Sequence, residues 1–352
     1  MRKSAVLLAA ICIFVMVPAL TAAERQKVIL DTDIGSDLDD AFALALVLTA
    51  PEFEVLGITM DHGLTQKRAQ LTCRMLYEVG MENIPVAVGR QTPLNVGKDK
   101  DLDREWGQMH YGDGFTRLKP ISTPAPDFII QMLRKYPQEV VLITIGPVPN
   151  MGDIVKKDPE ALKLAKHIYA MYGSFYRGYD MKGMVTELHP GAHSEWAAMS
   201  VPSAEYNAAM DVDSSKLFSA SGAKITYAPL DITTFLVMEE RDQQKIWMRH
   251  SPLTDALAGL FALWQTDFDD MNGKGNSMWV IYDCVAVAMA LWPDLFTTRP
   301  AHVRVIDGGF TVIDESKPPN CEIGMTINKD EFLKRVLHRW VYQNLGRQLI
   351  GD

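Results

Sequence analysis

Val28-Ile29-Leu30-Asp31-Thr32-Asp33-Ile34-Gly35-Ser36-Asp37-Leu38-Asp39-Asp40-Ala41 runs from an apolar segment straight into five carboxylates within ten residues. Lys27–Leu30 is short, mostly apolar and meets acid at Asp31, which reads as a buried strand. Ala41–Leu48 is continuously apolar and rich in Ala and Leu, which favours a buried helix over a strand. Gly35 permits a tight turn between the two. Carboxylates packed this closely repel one another, and a protein tolerates them when a cation neutralises them or when they point into water. Asp at a helix start also caps free N–H groups and favours the dipole. That explains one or two of these residues, not five held between a buried strand and a buried helix. All-oxygen donors suit a hard cation such as Ca²⁺ or Mg²⁺. An EF-hand does not fit: counting from Asp31, position five is Gly35 and position twelve is Phe42. A phosphatase with Asp31 or Asp33 as nucleophile would also open strand-Asp-x-Asp, but the Ile-Gly-Ser-Asp that follows departs from its pattern.

Outward from the turn, strand and helix patterns alternate. Val55–Thr59, Pro85–Val88, Val140–Ile145, His167–Tyr172 and Lys224–Tyr227 read as strands. Gln66–Val79, Phe128–Lys135, Leu253–Trp264 and Tyr282–Leu291 read as helices with apolar faces. Ala301–Ile306 and Thr311–Ile313 read as a hairpin around Asp307-Gly308-Gly309. The alternation predicts one α/β domain over residues 24–352, with a mostly parallel, Rossmann-like sheet flanked by helices. Ligands of such sheets bind at the carboxyl ends of the strands. The aspartate turn occupies one such end, and Gly146-Pro147-Val148-Pro149-Asn150 another.

The first residues carry a different signal. Met1-Arg2-Lys3, an apolar run from Ala5 to Leu20 and Thr21-Ala22-Ala23 form the pattern of a secretory signal peptide, residues 1–23. Export to a periplasmic or extracellular space follows, with no stable membrane anchor after cleavage. The net charge of −9 becomes more negative when Arg2 and Lys3 leave. A chain this acidic is a poor partner for nucleic acid, which is met by Lys and Arg. Cys73, Cys284 and Cys321 would remain after Cys12 leaves, an odd set without disulfide or zinc spacing.

The turn also resembles the signature Asp-x-Asp-Pro-Gly-x-Asp-Asp-Ala of the inosine–uridine preferring nucleoside hydrolases, lengthened by two residues including Asp37. Further matches follow in the family's order. They are Leu56-Gly57-Ile58-Thr59, Ile145-Gly146-Pro147-Val148-Pro149-Asn150, Met171-Tyr172-Gly173, Ala204-Glu205-Tyr206-Asn207, Pro229-Leu230-Asp231-Ile232-Thr233 and Asp283-Cys284-Val285-Ala286. The resemblance implies Ca²⁺ held by Asp33, Asp40, Asp283 and the main-chain carbonyl of Ile145. It implies Asp39 as the general base toward a metal-bound water, Glu205 and Asn207 on ribose hydroxyls, and Met171 lining the sugar pocket. It implies a nucleoside or related riboside as substrate, hydrolysis of its N-glycosidic bond, and a homo-oligomer, dimer or tetramer. Each assignment has a plainer rival in the sequence itself. Glu205 could start a helix, Asp283 could serve a helix dipole, Asn150 could cap a turn, and Asp231 could hold a loop together.

The chain departs from the family at four places. Asp37 lengthens the turn and competes with Asp33 as ligand. Tyr282 stands where many members carry a leaving-group His. His62-Gly63-Leu64 replaces Ala-Gly-Asn, and Met199 aligns with a sugar-binding Asn. Asp61 and His62 lie near enough to take over polar roles, and Tyr176–Trp196, with Glu187, His189, His193 and Glu195, reads as a loop over the site. Retained metal with altered sugar contacts leaves two alternatives to hydrolysis: a metal-retaining riboside-binding protein with weak or no turnover, and the metal-dependent phosphatase.

Overall fold

The computed structural model describes residues 25–93, 107–179, 202–272 and 279–346, with side chains for all of these except 268–272. The N-terminal segment 1–23, most of the Tyr176–Trp196 loop and Met199 lie outside the described residues.

The strands are β1 (Gln26–Thr32), β2 (Phe53–Met60), β3 (Val86–Val88), β4 (Val140–Thr144), β5 (His167–Met171), β6 (Ile225–Ala228), β7 (Phe296–Ala301), β8 (Val303–Val305), β9 (Thr311–Ile313) and β10 (Cys321–Ile327). The described α-helices are α1 (Asp39–Leu48), α2 (Thr65–Glu78), α3 (Ala125–Lys135), α4 (Pro149–Lys157), α5 (Tyr206–Ala209), α6 (Val212–Ser219), α7 (Leu230–Thr233), α8 (Glu240–Trp247), α9 (Pro252–Asn272), α10 (Cys284–Leu291) and α11 (Lys329–Val341).

Eight strands form one sheet in the order β3-β2-β1-β4-β5-β6-β10-β7. Neighbours are parallel except β10 and β7, which run antiparallel. The expected mostly parallel α/β sheet is therefore present. The inner strands are buried on both faces, as parallel strands under helices must be. Val28 and Leu30 of β1 point into one apolar core and Ile29 into the other. In β4, Val141 and Ile143 face the first core, Val140 and Leu142 the second. The first core also takes the apolar residues of α1, whose ten residues are all buried. That leaves no solvated side and explains the continuous apolar run after Asp40.

The strand order reverses between β1 and β4, where Asp31 pairs in register with Thr144. Such a reversal opens a crevice beyond the carboxyl ends of the two strands. The aspartate turn leaves β1 there, and Ile145-Gly146 leaves β4.

The expected hairpin forms between β8 and β9, but Ala301 belongs to β7 of the large sheet. The chain changes sheet at His302, whose carbonyl accepts from the Asp314 N–H at 2.8 Å. Asn320 holds the next residue, accepting from the Val303 N–H at 2.8 Å and donating to its carbonyl at 2.9 Å. Pro300 is accommodated because β7 is an edge strand, where a missing N–H costs no ladder bond. The strand β10 and the helices α4, α6, α7, α8 and α11 had no counterpart among the elements expected from the sequence, and β7 only its last residue, Ala301.

Candidate metal centre and active site

The acidic turn is built from the backbone up. Gly35 adopts φ of 111°, a left-handed conformation that suits glycine. Ile34 donates its N–H to the Thr32 hydroxyl at 3.1 Å, and that hydroxyl donates to Asp40 Oδ1 at 2.5 Å. Asp39 and Asp40 begin α1, yet the cap position is Leu38 and no side chain caps the helix. Their carboxylates turn instead toward Asp283, at the start of α10. One ligand oxygen from each of Asp39, Asp40 and Asp283 lies within 4.8 Å of the others, and all three residues are buried. Asp283 caps no helix N–H either. Its own N–H donates to Asp39 Oδ2 at 3.1 Å, so the two helix starts are tied together.

Asp33 joins this group electrostatically: its charge helps to raise the pKa values of Asp40 and Asp283. Asp61, at the end of β2, completes it. A Cβ placed on Gly146 would lie 2.7 Å from Asp33 Oδ1 and from both Asp61 carboxylate oxygens. Only a glycine after Ile145 lets these two carboxylates approach β4. Both Asp61 oxygens are buried without a hydrogen-bond donor among the described residues. Its neighbour within reach is another acid, Asp31. Asp31 itself accepts from Thr59 Oγ1 at 2.5 Å, Asn150 Nδ2 at 2.8 Å and Thr144 Oγ1 at 3.4 Å. It is a structural acid behind the site; Thr144 reaches it from β4, and Asn150, in the first turn of α4, ties it to the Met60 carbonyl of β2, to which the same amide donates at 3.0 Å.

Asp31, Asp33, Asp39, Asp40, Asp61 and Asp283 are therefore six buried carboxylates, and Arg68 is the one buried Lys or Arg among the described residues. Burial pushes Asp31 up to about 6 despite its hydrogen bonds. Asp39, Asp40, Asp61 and Asp283 are driven well above the ordinary carboxylate range, first by burial and then by their neighbours' charges. Asp33 is raised by burial and held back by Arg68. Uncompensated buried charge is costly, so this donor set fits a hard divalent cation with oxygen ligands.

Asp37 is not among the three acids whose oxygens converge, although its charge helps to raise Asp39 and Asp33. It is exposed, and its Oδ1 accepts from the Leu38 N–H at 2.7 Å and the Trp264 indole at 2.9 Å. The Ile145 carbonyl accepts from Asn207 Nδ2 at 2.9 Å, and the same amide donates to the Met171 carbonyl at 2.9 Å. Asn207 thus stitches the ends of β4 and β5 and brings Ile145 and Met171 together. Glu205 is buried beside it and caps α5: it accepts from the N–H groups of Gly173, Asn207 and Ala208 and from the Tyr179 hydroxyl. The helix-start role considered for Glu205 is real. His62 is buried, with Nδ1 2.7 Å from Thr92 Oγ1 and its ring edge-on to Tyr206. Tyr282 is half-buried, with its ring 6.3 Å from that of Tyr179. Burial, then Asp37, Asp39 and Asp283, push its phenol upward, away from acting as an acid. Asp231 holds a loop, accepting from the N–H groups of Phe175, Tyr176 and Arg177 at 2.7–3.0 Å.

Arg68 was missed in the sequence. The signal was there: Thr65, Arg68, Ala69 and Thr72 are buried at the spacing of an inward helical stripe. A charge on such a stripe demands a partner.

Comparison with known proteins bears on this arrangement. The family described as inosine-uridine preferring nucleoside hydrolase matches residues 28–334. Uridine nucleosidase 1 of Arabidopsis thaliana is 28% identical over 299 residues, covering 82% of this chain and 81% of its own. The non-specific ribonucleoside hydrolase RihC of Escherichia coli O157:H7 is 27% identical over 335 residues, covering 92% and 99%. The solved structure of a plant nucleoside hydrolase superposes with a TM-score of 0.72 at 24% identity, over 91% of this chain and all of that one, a likeness of fold. A match over residues 28–334, nearly the whole described chain, leads to one conclusion: the chain belongs to the inosine-uridine preferring nucleoside hydrolase family.

Proposed function

We propose that this protein hydrolyses the N-glycosidic bond of ribonucleosides or related ribosides, using Ca²⁺ held by Asp33, Asp40, Asp283 and the main-chain carbonyl of Ile145. The observation that carries the reading is the buried convergence of Asp39, Asp40 and Asp283 within 4.8 Å. A bound divalent cation supplies Lewis acidity: it acidifies water and grips vicinal hydroxyls. Asp39 takes the proton of the attacking water. The Asp283 N–H holds the Asp39 carboxylate in place while it does so. General base catalysis of this kind contributes roughly 10²–10⁴-fold. Asn207, fixed by two strand ends, and Glu205 orient the ribose, and Met171 walls the sugar as it passes toward an oxocarbenium-like state. His62 and Asp37 stand at the rim of this assignment.

A second reading, a metal-retaining riboside-binding protein with weak turnover, is favoured by Tyr282, whose phenol is pushed away from the range of a useful acid. One assay separates the readings. The mature protein is incubated with a nucleoside panel, and free base and reducing sugar are followed with calcium, with chelator, and with calcium restored. Calcium-dependent release supports hydrolysis. Tight riboside binding without release supports the second reading. Release of phosphate from phosphoesters instead supports a phosphatase using Asp31 or Asp33.

Export to the periplasm or outside the cell rests on residues 1–23. Amino-terminal sequencing of the secreted protein should begin at Glu24. Assembly into a dimer or tetramer is proposed on family grounds and is read by light scattering.

A further inference from the structure

The guanidinium of Arg68 is fully buried and reaches two segments of the chain, the acidic turn and the residue after Asp61. Its Nε–H donates to the carbonyl of His62 at 2.6 Å, beyond β2. Nη1 donates to two successive carbonyls of the acidic turn, Asp33 and Ile34. Nη2 donates to the Ser36 hydroxyl at 2.6 Å. The Asp33 carboxylate is 3.8 Å from Nη2, beyond hydrogen-bond distance. The cation therefore offsets the charge of Asp33 without occupying its oxygens.

We propose that Arg68 is the positioning residue of the metal turn: its fork fixes the backbone from Asp33 to Ser36 so that Asp33 and Asp40 face one cation. This rests on the cation reading given above. Carbonyls facing inward, with no main-chain donor among the described residues, need a partner that carries several N–H groups in one plane, which guanidinium has and ammonium lacks. The arginine thus shapes the turn before any cation arrives, and the carboxylates remain available to bind it. Residues that orient metal ligands typically contribute about 10–100-fold to metal affinity.

The test uses the full mature chain and Ca²⁺ itself as probe. Arg68→Lys keeps the charge and loses the fork; Arg68→Gln loses both. Ser36→Ala removes one acceptor at a half-buried position and leaves the fold safe. Calcium affinity is measured by titration calorimetry below each variant's melting temperature, and terbium luminescence lifetimes in H₂O and D₂O count the waters left on the ion. Both Arg68 variants should bind calcium about 10–100-fold more weakly than wild type, with more water on terbium. Ser36→Ala should weaken binding less, in the same direction, and Lys67→Gln on the outer side of α2 should not. Wild-type affinity and water count in a folded Arg68→Lys would overturn the proposal, because charge alone would then suffice. If both Arg68 variants fail to fold, Ser36→Ala decides: unchanged affinity and hydration overturn the proposal. No calcium uptake by wild type would overturn the cation reading itself, a result distinct from any variant's.

Discussion

The N–H of Asp283 donates to Asp39 Oδ2 across 3.1 Å, joining the first turns of two helices 244 residues apart in the chain. The residue assigned as base is thereby oriented by the residue assigned as ligand. Asp39→Ala should reduce kcat by roughly 10²–10⁴ while calcium and riboside affinity stay within a few-fold of wild type. Steady-state kinetics with calorimetry decides it; near-normal turnover removes Asp39 from the chemistry.

Cation removal should destabilise the protein in a pH-dependent way. An acid whose folded pKa is raised stabilises the fold fully below its unfolded value, and that stability is lost as pH rises through the folded value. For Asp31 the window runs from 3.8 to about 6, a loss on the order of 3 kcal/mol above it. The other buried acids are raised in the same direction. Chelated protein should therefore melt at a higher temperature near pH 5 than near pH 8. Calcium at 100 times its Kd should restore about 2.7 kcal/mol and flatten the profile. Identical melting curves with and without calcium at pH 8 would contradict this.

Gly146→Ala should abolish tight calcium binding. The new Cβ would sit 2.7 Å from oxygens of both Asp33 and Asp61, closer than real contacts allow, so the acids or β4 must move. Overpacking of this kind costs about 1–3 kcal/mol, so the variant should still fold. Wild-type calcium content in the purified variant would show that these acids can relax freely.

Tyr282→Phe should leave kcat within a few-fold. Its phenol is pushed up by burial and three neighbouring carboxylates, so it is a poor proton donor. A fall of a hundredfold at saturating substrate would restore it as leaving-group acid.

Asp231→Ala should loosen the loop that follows β5. Three N–H groups lose their acceptor, and unsatisfied polar groups cost about 1–3 kcal/mol each where they stay buried. Tyr179, which reaches Glu205 from this loop, should lose its fixed place. KM should rise more than kcat falls, and an unchanged KM with lowered stability would confine Asp231 to the fold.

Local order in the sequence determined much of this protein. The apolar run before Asp31 and the Ala/Leu run after Asp40 sit in β1 and α1, because burial on all sides leaves a continuous apolar run. The parallel sheet followed from alternation, and the ends of β1 and β4 were marked by acids and by Gly146-Pro147. The edge of the sheet was not legible. The strand β10 inserts between β6 and β7, a long-range pairing that leaves no mark in a seven-residue stretch. Tertiary structure alone decided which acids meet. Asp39, Asp40 and Asp283 converge because two helix starts face each other across the crevice, whereas Asp37 turns out toward Trp264. It also decided that Glu205 caps a helix, that Asp61 closes against Gly146, and that Arg68 grips the turn. Sequence fixes the chemical type of each residue, but the direction of a side chain in a turn is set by partners that the fold brings from far away.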